Sequence, residues 1–287
     1  IYLLMRNHEK HKQHNCVMIS FQSNIIAIIM SKLLNYKIII RANQSPINYA
    51  KNFIKRKIMS FFYKLADKII VNSNDFRKEF TKFFHVRSVT IYNLIETQNT
   101  LRKRAKQKIK NNFFSRSKNT LNILTIGRLV IQKDQITILR ALNLIKHKKQ
   151  FRFYLIGKGK ELNNLKNFIT KHKLNDKVKI LNYQNNVYPY YKNADLFILS
   201  SLYEGLPNTL IEALSLGVPI ISSDCQTGPR EIINKNNLGK LFKIGDYKNL
   251  SNLILKSKKK RKTNYSNDIR FNFEKNLQKY KNLINNL

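Results

Sequence analysis

Cysteine is nearly absent from this sequence of 287 residues. Only Cys16 and Cys225 occur, far apart and without C-x-x-C spacing. This arrangement excludes a disulfide framework and a cysteine-ligated zinc site. So few thiols fit a reducing compartment, and we expect the protein to act in the cytoplasm.

Long apolar runs are also lacking. The most apolar region, Ile25 to Ile40, is interrupted by Lys32 and Lys37, and its uninterrupted part is far too short to cross a bilayer. The first residue is isoleucine rather than methionine, and no complete first α/β unit precedes the basic stretch described below. We therefore expect the chain to be N-terminally incomplete.

Acidic residues are scarce. The chain has 16 Asp and Glu against 54 Lys and Arg, a formal net charge of +38 at pH 7. Such a charge attracts nucleic acid, an anionic membrane surface or nucleotide-linked substrates alike. The basic residues are spread along the chain, and no nucleic-acid-reading motif accompanies them, so we predict no specific nucleic-acid partner.

Histidines recur every three residues in HEKHKQH, as His8, His11 and His14. Three imidazoles on one side of a helix can bind a metal, but the lysines between them repel a cation. We interpret this stretch as a solvated helix face and predict no metal site.

Apolar runs of strand length alternate with amphipathic runs of helix length, which is the pattern of α/β proteins with parallel sheets. We predict a partial N-terminal unit over residues 1–96 and a basic linker over 97–118. A second unit follows over 119–265, and a C-terminal helix over 266–287.

The stretch LSSLYEGLPNTLIEALSLGVP, Leu199 to Pro219, joins a buried strand, a turn and a helix that we predict to begin near Asn208. Glu204 falls in the turn and Glu212 about one turn into the helix. The N–H groups at such a helix start suit a phosphate, and we expect those of Thr209, Leu210 and Ile211 to be unpaired. Glu212 would then accept hydrogen bonds from sugar hydroxyls. The alternative is two solvated carboxylates.

A second loop supplies cations. The predicted strand Leu121–Ile126 ends in GRLVIQK, where Gly127 allows a close turn and Arg128 with Lys133 can hold one diphosphate. Gly157 and Gly159 follow the next strand but lack the rest of a dinucleotide fingerprint. Because loops at the carboxyl ends of parallel strands share one sheet edge, we expect these loops and the stretch TGPRE, 227–231, to form one site.

The N-terminal unit offers its own polar cluster. Arg41, Asn43 and Ser45 emerge where the predicted strand KIIIR ends, and are candidates for contacting a second substrate or, equally, a turn before Pro46. Lys51 to Lys68 forms a basic amphipathic helix. It either packs on the core with a solvated face or docks on an anionic bilayer.

The order GRL with Lys133, then EGLPNTLIEA, GVP and GPRE resembles the retaining, nucleotide-sugar-dependent glycosyltransferases of family 4. The resemblance implies the GT-B fold of two facing Rossmann-like domains, the first of them partial here. It also implies transfer of a sugar from a UDP- or GDP-linked donor to a glycan or lipid-linked acceptor, in cell-surface polysaccharide or lipopolysaccharide synthesis. Such enzymes work in the cytoplasm or peripherally on the inner face of the membrane.

The resemblance also implies residue roles. Arg128 and Lys133 would bind the donor diphosphate, Glu204 would orient the donor sugar, and Glu212 would hold the ribose; Arg128, Lys133 and Glu204 are the catalytic candidates. The implied donor site is completed by Gly127, Gly205, Leu206, Asn208, Thr209 and Leu210. No cofactor or divalent metal is implied, in agreement with the lack of a D-x-D motif.

Two departures from the family pattern keep alternatives open. The N-terminal glycine-rich loop is missing, and Lys133 stands in Gln132-Lys133-Asp134 instead of preceding a glycine. A nucleotide-sugar-binding protein without turnover is therefore one alternative, and a basic nucleic-acid-binding protein is another. For a phosphorylase of similar fold, the sequence shows no supporting site for pyridoxal or free phosphate.

Overall fold

The computed structural model describes residues 17–43, 46, 50, 52–109, 112–115, 117–233, 239–259 and 268–287. The chain forms two compact units. The first comprises Ile1–Leu94 together with Phe273–Leu287, and the second comprises Ile95–Asn272.

The first unit is built on a parallel sheet in the order β1-β2-β3-β4. Its elements in chain order are β1 Val17–Ser20, α1 Asn24–Leu33, β2 Lys37–Ala42, α2 Phe53–Lys64, β3 Lys68–Val71, α3 Asn74–Phe84 and β4 Val89–Thr90. In β2 and β3 the isoleucines are buried on both faces, as expected of strands covered on both sides. Side chains define the helix starts: Ser73 accepts the N–H of Phe76 and begins α3, and Asn52 accepts that of Ile54 and begins α2.

The second unit has a six-stranded sheet in the order β10-β9-β8-β5-β6-β7, and every pair in it is parallel. Its first half contains α4 Gln98–Arg104, β5 Leu121–Ile126, a 3-10 turn Ile131–Lys133, α5 Gln135–Ile145, β6 Phe151–Ile156, α6 Leu162–Lys171 and β7 Val178–Leu181. Its second half contains α7 Tyr188–Asn193, β8 Leu196–Leu199, α8 Asn208–Ser215, β9 Ile220–Ser223, α9 Pro229–Ile233, β10 Gly239–Phe242 and α10 Tyr247–Lys256.

The strand order of the second unit has one reversal. The chain runs outward from β5 through β6 to β7, and then returns to place β8 on the other side of β5. In open parallel sheets the crevice for ligands lies at such a switch point, beyond the carboxyl ends of the two strands. The loops after β5 and β8 therefore flank the expected ligand position.

The last helix, α11 Phe273–Asn285, belongs to the first unit. Its Tyr280 packs with Ile39 of β2, Ile70 of β3 and Ile91, on the sheet face away from Phe76 and Phe80. The C-terminal helix thus covers a sheet formed more than 180 residues earlier.

The stretch predicted as a linker, 97–118, contains a helix. Thr97 accepts the N–H of Thr100 and begins α4, whose Leu101 is fully buried. Helix α4 packs against α7 and α8. Of the seven residues of α4, one is buried, and the exposed ones include lysine and arginine. Such a short helix has too little apolar periodicity to be predicted from the sequence.

Candidate functional site

Lys133 and Glu204 form an ion pair at the switch point of the second unit. Lys133 follows β5 and Glu204 follows β8, and Nζ lies 2.5 Å from Oε1. The Ser201 hydroxyl donates to the same Oε1 at 2.6 Å. The side chains are 18% and 8% exposed. Glu204 is thus a buried carboxylate that accepts two hydrogen bonds, and not the solvated turn residue of the alternative interpretation.

Backbone hydrogen bonds tie the two loops together. Leu202 N–H donates to the Gln132 carbonyl at 2.8 Å, and Gln132 Nε2 donates to the Tyr203 carbonyl at 2.9 Å. The Ser200 hydroxyl donates to the Lys133 carbonyl at 2.9 Å. The ion pair therefore lies between two loops that are hydrogen-bonded to each other.

The loop after β9 joins the same cluster. The Thr227 hydroxyl donates to the Glu204 carbonyl, and the Ser223 hydroxyl donates to the Ser201 carbonyl at 2.6 Å. Gly228 has φ +88°, and a Cβ there would lie 2.5 Å from the Gly205 carbonyl oxygen. Only glycine fits this approach, so the stretch TGPRE supports the turn at Gly205.

Arg128 is exposed and bonded weakly. Its Nη2 lies 3.3 Å from Gln132 Oε1, and its backbone carbonyl accepts a bond from buried Gln135 at 2.8 Å. At Gly127 a Cβ would meet only the Lys133 side chain, at 3.8 Å. The Arg128 guanidinium is accordingly available to a ligand, while its backbone is fixed.

Gly157 and Gly159 support the loop after β5. A Cβ on Gly157 would lie 1.9 Å from the Gly127 carbonyl oxygen, and one on Gly159 would lie 2.1 Å from that of Leu129. This contact explains a glycine pair without the other features of a dinucleotide fingerprint.

Asp134 replaces the glycine of the family pattern and adopts the conformation that glycine favours, with φ 45° and ψ 43°. Its carboxylate accepts a bond from the Thr137 hydroxyl at 2.7 Å, and burial raises its pKa. Aspartate tolerates left-handed backbone better than most residues, so the turn after Lys133 is retained.

Helix α8 begins at Asn208, as predicted, and Pro207 supplies no side-chain cap. One expectation for this turn is wrong. The N–H of Leu210 is not unpaired, because it donates to the Pro207 carbonyl at 3.1 Å. A short 3-10-type bond tightens the first turn, which leaves fewer donors for an anion than an ideal helix start would.

Glu212 lies next to a buried tyrosine. The Tyr191 hydroxyl is 3.0 Å from Glu212 Oε2 and 3.2 Å from the Thr209 carbonyl oxygen. Burial raises the pKa of Glu212 to about 7, with Glu96 also raising it and the Tyr191 bond and Arg104 lowering it. Burial and the Glu212 charge likewise raise the pKa of Tyr188 to about 12. Tyr188 and Tyr191 were not among the residues predicted from the sequence, although they stand out there in the short aromatic run YPYY.

In the first unit Arg41 and Asn43 are adjacent, with Arg41 Nε donating to Asn43 Oδ1 at 2.9 Å. Both line a cavity of about 480 Å³. The third candidate, Ser45, lies outside the described residues, as do His8, His11 and His14.

The basic helix of the first unit, α2, leaves much of its apolar surface exposed. Met59 and Tyr63 are buried, but other large apolar side chains of the helix and its C-cap are exposed. These are Phe53, Ile54, Ile58, Phe61 and Leu65. Core packing therefore accounts for only part of its apolar residues.

Other site types find little support in the described parts of the chain. No group of three or more His, Cys, Asp or Glu residues is placed to hold a metal there. Within the same residues, no helix has the length and apolarity to span a membrane. Cys225 is a buried free thiol, and burial together with the Glu204 charge raises its pKa to about 12.

Two curated relatives illustrate what the chain is similar to. An uncharacterised glycosyltransferase of Methanocaldococcus jannaschii is 34% identical over 226 residues, 74% of this chain and 55% of the relative. A Campylobacter jejuni enzyme is 26% identical over 77% of this chain and 60% of its own length. It is named an N-acetylgalactosamine-N,N'-diacetylbacillosaminyl-diphospho-undecaprenol 4-alpha-N-acetylgalactosaminyltransferase. The chain thus spans about half to three fifths of these relatives.

The fold has solved counterparts. HepE of Anabaena, solved in complex with UDP, superposes with a TM-score of 0.79 at 18% identity, over 100% of this chain and 82% of HepE. The two parallel α/β units are those of GT-B glycosyltransferases. Residues 105–279 match the family model described as glycosyl transferases group 1. The chain therefore belongs to the glycosyl transferases group 1 family.

Proposed function

We propose that the protein transfers a sugar from a nucleoside-diphosphate sugar to a glycan or lipid-linked acceptor, with retention of configuration. The observation that carries the proposal is the Lys133–Glu204 pair at the switch point of the second sheet. It combines a cation for a diphosphate with a carboxylate for sugar hydroxyls where parallel sheets bind nucleotides. Membership of the family supports the same reading.

Arg128 and Lys133 would bind the donor diphosphate. Negative charge grows on this leaving group as the glycosidic bond breaks, and fixed cations aimed at it lower the barrier. Arg128 is exposed and its guanidinium suits two phosphate oxygens. Because these cations can take the place of a divalent ion, we propose a reaction that needs no metal or other cofactor.

Glu212 would accept hydrogen bonds from the ribose hydroxyls, and Glu204 would orient the donor sugar. The turn Gly205–Leu206 and the N–H groups of Asn208 and Thr209 would meet the diphosphate, with Gly127 leaving room on the opposite loop. The Leu210 N–H contributes less, because it is already bonded to Pro207.

Glu204 is poorly suited to act as a covalent nucleophile. Its Oε1 already accepts bonds from Lys133 Nζ and the Ser201 hydroxyl, which withdraw electron density from that oxygen. We therefore propose attack on the same face as departure, with Glu204 in a positioning role.

The acceptor would contact the first unit, where Arg41, Asn43 and Ser45 follow β2. The Campylobacter relative is named for a diphospho-undecaprenol acceptor. A lipid-linked acceptor in cell-surface polysaccharide or lipopolysaccharide synthesis would require the protein to work at the cytoplasmic face of a membrane. Helix α2, with exposed phenylalanine and isoleucine beside lysine, is our candidate for this peripheral contact.

Thermal unfolding with nucleotides tests the proposal. UDP, GDP, ADP and their sugar conjugates would be added in EDTA to the wild type and to the double variant Arg128→Ala, Lys133→Ala. One nucleotide series should stabilise the wild type, by about 2.7 kcal/mol at a hundredfold excess over Kd, and should not stabilise the double variant. The matched control is Arg102→Ala with Lys103→Ala, which removes two exposed charges from α4.

The outcomes separate the candidate functions. Stabilisation with sugar release to an acceptor supports the transferase, and stabilisation without turnover supports a nucleotide-sugar-binding protein. Equal stabilisation by every anion, unaffected by the double variant, would contradict the donor site and favour general polyanion binding.

A further inference from the structure

Arg41 carries a buried positive charge that forms no ion pair with the described acidic residues. It lies near the end of β2 and is 6% exposed. Among the residues that the structure describes, no carboxylate lies within ion-pair distance of its guanidinium. Buried charges in proteins are normally paired, because removing a charge from water is costly.

The described partners of Arg41 are neutral groups. Nε donates to Asn43 Oδ1 at 2.9 Å, Nη2 donates to Asn93 Oδ1 at 2.5 Å, and the guanidinium carbon lies 5.7 Å from the centre of the Tyr280 ring. Burial lowers the pKa of Arg41 to about 10, so the side chain stays cationic at neutral pH. These contacts orient the guanidinium but leave its charge uncompensated.

A second positive feature meets the same cavity. The cavity of about 480 Å³ is lined by Arg41 and Asn43 and by Gln22, Ser23 and Asn24, where α1 begins. Ser23 provides no side-chain cap, and the first turn of α1 contains no acidic residue. Neither the cap residue nor the first turn of α1 therefore compensates the partial positive charge of this helix start.

Hydrogen bonds fix the two features relative to each other. Asn24 Nδ2 donates to the Arg41 carbonyl at 3.1 Å, and Asn43 Nδ2 donates to the Phe21 carbonyl at 3.3 Å. Asn43 thus holds the Arg41 side chain through Oδ1 and the β1–α1 turn through Nδ2. The guanidinium and the start of α1 are therefore held in one arrangement by these bonds.

We propose that this cavity binds a phosphate or diphosphate group, and that the group belongs to the acceptor, which is therefore a phosphate-linked molecule. A guanidinium fork with a helix N-terminus is the combination that recognises phosphoryl oxygens. The cavity lies in the first unit, whereas Lys133 and Glu204 lie in the second, so it is separate from the proposed donor residues. The assignment to the acceptor rests on the proposed function, but anion binding does not.

The test is calorimetric titration of the full chain with inorganic diphosphate, with UDP present in excess to occupy the proposed donor site. Arg41→Met should weaken diphosphate binding at least tenfold, and Arg41→Lys should weaken it less, because it keeps the charge without the fork. The control Arg87→Met removes an exposed arginine of the same unit and should change nothing. Equal diphosphate affinity in Arg41→Met and Arg87→Met would overturn the site.

The source of the phosphate is tested with lipid vesicles. Neutral phosphatidylcholine vesicles would carry a small fraction of either a polyprenyl diphosphate-linked sugar or phosphatidylglycerol. We expect preferential binding to the former, reduced at least tenfold by Arg41→Met. Equal binding to both vesicles, or binding of inorganic diphosphate alone, would overturn the acceptor assignment.

Two controls keep the outcomes distinct. Should Arg41→Met fail to fold, Arg41→Lys and Asn43→Ala test the same site, since Asn43→Ala removes the group that holds the guanidinium. UDP affinity should be unchanged in every variant. Absence of UDP binding in the wild type counts against the proposed function and leaves the Arg41 titration interpretable.

Discussion

Lys133 Nζ lies 2.5 Å from Glu204 Oε1, although 71 residues separate them in the chain. The pair links the loops after β5 and β8, which are neighbours only because the strand order reverses between them. The cation and the carboxylate that we propose to contact the donor are thus paired with each other.

The pair should show strong energetic coupling. We expect Lys133→Met to destabilise the fold by about 3–5 kcal/mol, because Glu204 is left as a buried carboxylate that keeps the hydrogen bond from Ser201 but has lost its cation. The double variant with Glu204→Gln should recover part of this loss, with a coupling of about 1–3 kcal/mol in urea unfolding. Neither the single nor the double variant should transfer sugar. Additive effects would show that the ion pair contributes nothing.

Stability should depend on the charge of Glu212. Its folded pKa of about 7 exceeds the ordinary value of 4.5, so its contribution is present at low pH and is lost as the pH rises through 7. Relative to Glu212→Gln, the wild type should lose on the order of 3 kcal/mol of unfolding free energy between about pH 4.5 and pH 8. The charged and titratable neighbours are Glu96, Arg104, Tyr188 and Tyr191. Parallel stability curves for the two proteins would contradict the raised pKa.

The hydrogen bond from Tyr191 should affect the pKa of Glu212. Its hydroxyl bond lowers the Glu212 pKa, in opposition to burial. Tyr191→Phe should therefore raise the pKa of Glu212 further, and should weaken nucleotide binding most near neutral pH, where more of the carboxyl group becomes protonated. Affinities measured from about pH 6 to pH 8 would reveal the shift. Tyr190→Phe is the matched control, since it removes the same group from the neighbouring position and the Tyr190 ring packs on Tyr154.

Gly228 should tolerate no side chain. Gly228→Ala combines φ +88° with a Cβ 2.5 Å from the Gly205 carbonyl oxygen and 2.7 Å from Pro207 Cδ. We expect about 2–4 kcal/mol of destabilisation and a displaced turn at Gly205. Gly245→Ala is the control, because Gly245 has φ +74° but nothing within 4 Å of the added Cβ, so about 1 kcal/mol is expected. Similar thermal shifts in both variants would show that backbone strain, and not the contact, dominates.

Helix α2 should bind anionic vesicles. Reversal of Lys55, Arg56 and Lys57 to Glu should reduce sedimentation with phosphatidylglycerol vesicles about a hundredfold or more, since each basic residue near such a surface contributes about 1 kcal/mol. Reversal of the exposed Lys166, Lys171 and Lys173 changes net charge equally and is the control. Phe61→Ser tests the apolar contribution. Equal loss of vesicle binding in the two triple variants would show that binding depends on net charge and not on helix α2.

Much of the fold could be predicted because buried parallel strands appear in the sequence as short apolar runs. The predicted strand Leu121–Ile126 is β5, and the helix predicted near Asn208 begins there. The order of the strands in the sheet could not be predicted from the same runs. The hydrophobic pattern of a strand indicates that it is buried, but does not indicate which strands lie beside it. Helix α4 was missed because one buried leucine is too weak a signal.

Only part of the candidate site could be predicted from the sequence. Glycines, cations and carboxylates after strands were visible, and their shared edge followed from parallel topology. The Tyr191–Glu212 bond was not visible, because it depends on how α7 packs beside α8. The buried environment of Arg41 was also not predictable, because it is formed by residues that are distant in the sequence.

The sharing of the first unit between both ends of the chain has a consequence for synthesis. All residues of the second unit, 95–272, are synthesised before α11, whereas the face around Ile39, Ile70 and Ile91 stays uncovered until Tyr280 is synthesised. Until then that face is an exposed apolar surface. A chain released before α11 is synthesised would therefore contain the whole second unit and a first unit that is prone to aggregate.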